Sequence, residues 1–246
     1  DYTYKFRNGY YDYWDGPGWE GDNGLIEGGC AVGEYFDRQV SVGNSDIVEG
    51  VFCFGSCDDS CEGGSIEYTL IWNDEFDGNG AIDSSKWFHQ TQLPNGYSWY
   101  NNEIQHYTDR LDNSYISDGT LKIVAKKETY TDQGQTKEYT SARLNSKYAL
   151  TYGKVEVRAK LPEGIGTWPA IWMLGQNINE PGAYWQTQGY GTTSWPSCGE
   201  IDIMEHWGTN QNYVQSALHT PSSYGATINH GGQYISNAAT QFNIYT

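Results

Sequence analysis

The stretch Trp195-Pro-Ser-Cys-Gly-Glu200-Ile201-Asp202-Ile203-Met204-Glu205-His206 constrains this chain more than any other. Three carboxylates fall within six residues, separated by aliphatic residues and one Met. Side chains along a strand alternate between its two faces. Glu200 and Asp202 therefore share one face, and Ile201 and Ile203 point together into the opposite layer. Glu205 is out of register, because an unbroken strand turns it inward with the isoleucines. One extra residue in a β-bulge at Ile203-Met204 returns it to the face of the other two acids. The expectation is a row of three acids on one sheet surface, with apolar anchors beneath.

Such a row suits glycoside hydrolysis with retention. One Glu attacks the anomeric carbon; the second protonates the departing oxygen and later activates water, with the two carboxyl groups about 5–5.5 Å apart. Four strand steps separate Cα atoms by roughly 13 Å, so the glutamates have to lean towards each other across Asp202. Asp202 between them would hold a shared proton and push the glutamate pKa values apart. Two rivals stand beside this reading. The first is a solvated acidic strand face, against which count the flanking Trp and Gly and the lack of a neighbouring Lys or Arg. The second is a metal site, since His206 follows Glu205, although the spacing matches no helical zinc motif.

The motif Glu200-Ile-Asp-Ile-Met-Glu205 resembles the active-site signature of glycoside hydrolase family 16, in the bulged form of endo-β-1,3-glucanases (laminarinases). Leu70-Ile-Trp-Asn-Asp-Glu-Phe-Asp77, Trp99-Tyr-Asn-Asn-Glu-Ile-Gln-His-Tyr107, Ser117-Asp-Gly-Thr-Leu-Lys-Ile123 and Tyr139-Thr-Ser-Ala-Arg-Leu144 follow the family's order. So do Tyr152-Gly-Lys-Val-Glu-Val-Arg158 and Trp168-Pro-Ala-Ile-Trp-Met-Leu174. The resemblance covers about residues 66 to 246. It implies Glu200 as nucleophile, Asp202 as its electrostatic partner and Glu205 as acid/base. It also implies that Trp168, Trp172 and Trp195 line sugar subsites, that Asn101, Glu103 and Arg143 face the cleft, and that His219 lies near the reacting sugar. For each of these the other reading is a core indole or a satisfied rim contact. Catalysis by such a site needs no cofactor. A structural Ca²⁺ on the convex side is a family feature, and its matching ligands include backbone oxygens near Glu75 and Gly119 plus a C-terminal Asp that this sequence lacks.

The 246 residues suffice for one β-sandwich, or for one domain and a small module. Thirty Gly, 10 Trp, 21 Tyr and 7 Phe, with 18% charged residues, read as all-β with many turns. A formal net charge of −17 disfavours nucleic acid and anionic membranes as partners, because phosphate binding needs clustered Lys and Arg. A neutral polysaccharide fits that charge; a sulfated one fits it less well. No apolar run approaches the length of a membrane span, and Asp1 reads as a processed start. Four of the five Cys (Cys30, Cys53, Cys57 and Cys61) fall in a short N-terminal window, which favours disulfides and secretion into an oxidising compartment. Three pairings are open, with Cys30–Cys53 and Cys57–Cys61 the expectation and a zinc site the alternative. Cys198 is left over and reads as a small buried hydrophobe.

Residues 1–63 form a compositional block of their own, rich in Cys and aromatics. Tyr2-Thr-Tyr4-Lys-Phe6 reads as a strand, Asn8-Gly9 as a hairpin turn, and Gln39-Val-Ser-Val42 and Gly50-Val-Phe-Cys-Phe54 as a second pair. The rings either form a glycan-binding platform or the core of a disulfide-pinned spacer. The Gly-rich Cys61–Ile66 marks the boundary with a catalytic domain spanning 66–246. There, Leu121, Ile123 and Ala125 alternate with Lys122 and Lys126, and Val155, Val157, Ala159 and Leu161 alternate with charged residues, as half-buried antiparallel strands do. Two stacked, curved sheets, a jelly-roll sandwich, are the natural closure. The loop from Gly175 to Ser194 joins the Trp168/Trp172 strand to the acid strand and should rim the cleft. The family's domain continues beyond the position matched by Tyr245, so the strands that complete both sheets are expected from a further segment of the same protein or another chain.

The expected function is that of a secreted bacterial endo-glucanase cutting β-1,3 bonds of laminarin-like glucans. Mixed-linkage β-1,3-1,4-glucan is the second substrate, galactans such as agar a distant third. The rival from another class is a non-catalytic β-glucan-binding protein on the same sandwich, which would keep the tryptophans and lack the acids.

Overall fold

The computed structural model describes residues 68–246 and, before them, the backbone of two short strands. The chain divides into two compact units, Asp1–Thr69 and Leu70–Thr246. In the first, β1 (Tyr2–Tyr4) pairs antiparallel with β2 (Arg38–Val40). The described partner of β1 thus lies far along the chain. The Asn8-Gly9 turn itself, the strand expected at Gly50–Phe54, and Cys30, Cys53, Cys57 and Cys61 lie outside the described residues.

The second unit is nearly all-β. Its strands are β3 (Trp87–His89), β4 (His106–Tyr107), β5 (Ser114–Ser117), β6 (Thr120–Ile123), β7 (Lys126–Asp132), β8 (Gln135–Ser141) and β9 (Leu144–Ser146). After them come β10 (Val157–Ala159), β11 (Ala170–Leu174), a single helical turn α1 (Tyr184–Thr187), β12 (Glu200–His206), β13 (Tyr213–His219), β14 (His230–Tyr234) and β15 (Asn243–Tyr245). Two hairpins show how local sequence sets the connections. β5 and β6 are joined by Asp118-Gly119, and β7 and β8 by Gln133-Gly134. All four residues have positive φ, the geometry that two-residue turns need to match strand twist. Gly at the second position meets that demand without strain.

The sheet that carries the acid motif has the order β11-β12-β13-β14, antiparallel throughout. Against β13, Asp202 pairs with Ala217 and Glu205 with Gln215, so three steps on β12 oppose two on β13. Against β11, Met204 pairs with Ile171 and Asp202 with Trp172, so two steps oppose one. Both ladders place one extra residue at Ile203-Met204, as expected. Ile203 and Met204 turn to the side away from the acids. There Met204, Leu161, Val214, Ala238 and Tyr245 form the core, with Ala159, Ile171, Ile203 and Ile235 packed on it. β10 completes this layer by pairing with β15.

Two expectations of burial need correction. Ile201, read as an anchor beneath the acids, is 47% exposed. It lies with Ile203, Leu218 and Ile228 along an open hollow under β12 and β13 that no described residue fills. The anchor is Met204, which the bulge turns into the core, at 1% exposure. Ile123 and Ala125 were expected to point inward, yet both are exposed while Val124 and Lys126 are half-buried. A strand's alternation reports two faces, and only packing decides which one is covered. The alternation of Val155, Val157, Ala159 and Leu161 holds as read.

Candidate active site

The bulge decides the composition of one sheet face. Cross-strand partners stand on the same face. The acid face of β12 therefore carries Glu200, Asp202 and Glu205, flanked by Leu174, Trp172 and Ala170 on β11 and by His219, Ala217 and Gln215 on β13. Each glutamate holds an indole. Trp195 Nε1 donates to Glu200 Oε2 at 2.7 Å, and Trp168 Nε1 donates to Glu205 Oε1 at 3.0 Å. Both rings are about two-fifths exposed, at 41% for Trp195 and 42% for Trp168, so each keeps a surface open to a ligand. A second aromatic backs each one: Tyr224 meets Trp195 edge-on at 5.3 Å, and Trp207 lies 5.8 Å from Trp168. The acid row is thus bracketed by two pairs of rings, one at each end.

Asp202 sits buried between the glutamates. Burial first, then the charges of Glu200 and Glu205, push its carboxyl up to about 8, and its hydrogen bond to Glu200 acts in the same sense. A proton is therefore held within the row, where like charges disfavour full ionisation. His219 reaches Asp202 from β13, with Nε2 3.0 Å from Oδ2. Its ring also lies 5.8 Å from that of Trp195, and its Nδ1 is buried without a hydrogen-bond partner among the described residues. Burial also raises Glu205; the Trp168 N–H and, more weakly, His219 oppose that, while Glu200 adds to it.

Arg143 and Trp172 come together, and Trp172 stands directly across from Asp202. Arg143 is half-buried, its guanidinium 4.8 Å from the Trp172 ring and 5.2 Å from the Trp99 ring. Glu103 accepts hydrogen bonds from Tyr107 Oη and Gln105 Nε2, each at 2.8 Å, and so serves a neighbouring loop. Asn101 is exposed, in a left-handed turn with φ 54°. The loop after β11 closes on itself through α1 and a bridge between Ile178 and Thr193. Tyr224, Trp207 and Glu180 were not singled out in the sequence. Trp207 had a signal, being the next aromatic after His206. Glu180 had none, as a lone acid inside a polar loop.

Among the described residues, Glu200, Asp202 and His219 form the only group of three or more His, Cys, Asp or Glu with ligand atoms close enough to share an ion, within 4.8 Å of one another. Glu75 is not in such a group: its Oε1 accepts from the Asn73 amide. Gly119 lies in the β5–β6 turn, next to a carbonyl, Ser117 O, that takes the Lys122 ammonium at 2.7 Å. The ligands expected for a structural Ca²⁺ are backbone oxygens near these two residues, and of these the Ser117 carbonyl is already held by a cation. His206 is fully buried on the other face, its Nδ1 2.8 Å from Tyr213 O, and among the described residues it belongs to no such group. Cys198 is half-buried, and burial raises its thiol.

Comparison with known proteins bears on this arrangement. Residues 96–246 match the glycosyl hydrolases family 16. A beta-glucanase of Rhodothermus marinus is 41% identical over 184 residues, covering 72% of this chain and 58% of its own length. A glucan endo-1,3-beta-glucosidase of Niallia circulans is 37% identical over 175 residues, 67% of this chain and 24% of its own. The chain thus spans less than two thirds of the length of these curated relatives. Among solved structures, a LamA variant from Z. galactanivorans in complex with laminaritriose and laminaritetraose is 52% identical, with a TM-score of 0.67 over 72% of each chain. The likeness assigns the small sheets of the second unit to one all-β jelly-roll sandwich. By its acid row, its sheet and the match across more than half of its residues, this chain belongs to glycoside hydrolase family 16.

Proposed function

We propose that the protein is a retaining endo-glucanase that hydrolyses β-1,3 bonds of laminarin-type glucans. The observation that carries the reading is the bulge that turns Glu205 to the face of Glu200 and Asp202. Glu200 attacks the anomeric carbon while Glu205 passes its proton to the departing glycosidic oxygen. The C–O bond to the leaving sugar breaks and a glycosyl ester forms on Glu200. Glu205, now a carboxylate, takes a proton from water, whose oxygen attacks the same carbon and frees Glu200. Burial of Glu205 favours the protonated form that the first step needs. Asp202 holds its proton against Glu200, which limits charge build-up in the row before attack. Trp195 N–H steadies the nucleophile and Trp168 N–H the acid. The paired rings at either end give sugar faces something flat to stack on.

The substrate follows from the charge and the rings: the polymer is neutral, and it is recognised by stacking and hydroxyl hydrogen bonds. A substrate too large to enter a cell fits export of the enzyme, and the N-terminal cysteines point the same way. The test is reducing-end release from laminarin by the full chain, with lichenan and agarose alongside. Glu200→Ala and Glu205→Ala should each lower turnover at least about a thousandfold and leave the melting temperature nearly unchanged. Substantial activity in both variants defeats the assignment. Glucan binding without reducing-end release by the wild type points to a binding protein on the same sandwich.

A further inference from the structure

One buried charge pair touches the site without entering the chemistry above. Glu180, in the loop between β11 and β12, is 8% exposed, and its Oε1 accepts from Arg143 Nη2 at 2.8 Å and from Gln90 Nε2 at 2.5 Å. Residues 161–246 contain no Lys or Arg, so the cation facing Glu180 has to come from earlier in the chain. Arg143, just before β9, supplies it. Both charges are largely out of water, with side-chain exposures of 12% for Arg143 and 10% for Glu180. A buried pair of this kind adds little stability over an apolar packing of the same volume.

What the pair fixes is direction. Arg143 Nε is buried and has no hydrogen-bond partner among the described residues, so Glu180 is the only group hydrogen-bonded to the fork. With the fork held, the guanidinium lies over the rings of Trp172 and Trp99. Trp172 is the cross-strand partner of Asp202 and so stands beside the centre of the acid row. We propose that Glu180 is a positioning residue: it clamps Arg143 against Trp172 and thereby sets the angle at which that indole meets the sugar bound next to Asp202. Glu180 acts through Arg143 and does not touch substrate. The inference rests on the glucanase reading, and it links the long loop to substrate affinity.

The test uses the full chain and three changes. Glu180→Gln keeps the shape and removes the charge; Glu180→Asp keeps the charge; Arg143→Lys keeps the pair and removes the planar fork that stacks. A lost cation–π contact of this kind corresponds to about a tenfold change in affinity. Glu180→Gln and Arg143→Lys should each raise KM for laminarin about tenfold, with kcat within about threefold of wild type and Glu180→Asp recovering most of the loss. In a Trp172→Ala background, Glu180→Gln should change KM by less than about twofold, because the group it acts on is gone. An equal KM rise in both backgrounds overturns the proposal, as does an unchanged KM with only a lower melting temperature. Should Glu180→Gln fail to fold, Arg143→Lys with and without Trp172→Ala gives the same decision. The dissociation constant for laminaritetraose, measured in Glu200→Ala with and without Glu180→Gln, reads the effect independently of turnover. If the wild type releases no reducing ends, the catalytic reading fails and this binding comparison alone judges Glu180.

Discussion

At the scale of single residues, the site works by unequal environments for three like acids. Asp202 is the most buried and keeps its proton to about pH 8, while each glutamate is paired with an indole N–H. The Trp168 N–H stabilises the carboxylate form of Glu205 and so lowers its pKa against the effect of burial. Trp168→Phe removes that donor. The acid form of Glu205 should then persist to higher pH, and the alkaline limb of the pH profile of kcat/KM should move upward. A limb that stays in place or moves down contradicts the role given to this hydrogen bond. The shared face of Glu200, Asp202 and Glu205 was legible in the sequence because period-two alternation and one bulge determine where they point, whereas Trp168 and Trp195, which lie outside the strands, came only from the resemblance. Tyr224, Trp207 and Glu180 were not legible, because they arrive from loops, and loop placement depends on packing that no local pattern encodes. His219 came from the resemblance as a residue near the acids; on β13 it falls opposite Glu200, within reach of Asp202.

At the scale of elements, the acid strand is aimed by its neighbours. Trp168 lies just before β11, and the segment before it packs tightly against the turn after β12. Gly208 N donates to Thr167 O at 3.0 Å, and a Cβ on Gly208 would lie 1.7 Å from Gly164 O and 2.5 Å from Thr167 Oγ1. Only glycine fits there, so Gly208→Ala should force the two loops apart. The expected cost is about 1–3 kcal/mol of stability by thermal or denaturant unfolding, together with reduced activity, since Trp168 and Trp207 flank the gap. A melting temperature equal to wild type would show that the two loops are free to separate. The hairpin turns at Asp118-Gly119 and Gln133-Gly134 were set by local chemistry. Which face of β6 is covered was not, and Ile123 shows that alternation alone leaves the sign open.

At the scale of the whole molecule, the second unit carries its acids in a stretch, residues 161–246, without a single Lys or Arg. Uncompensated charge in the row should therefore be visible in stability. Asp202 has a folded pKa well above the ordinary carboxylate value, so between about pH 4 and about 8 the native chain binds more protons than the unfolded one. Its contribution is full at low pH and is lost as pH rises through that window. Asp202→Asn should flatten this part of the profile of melting temperature against pH; a slope unchanged by the substitution contradicts the assignment of the proton. The central claim concerns what the bulge accomplishes, the presentation of two glutamates to one sugar from a single face. Its most direct test is proton NMR of laminarin during the first moments of hydrolysis. Two displacements at one carbon release the β-anomer first, with the α-anomer appearing only as the sugar mutarotates. Initial release of the α-anomer would contradict the proposed roles of Glu200 and Glu205.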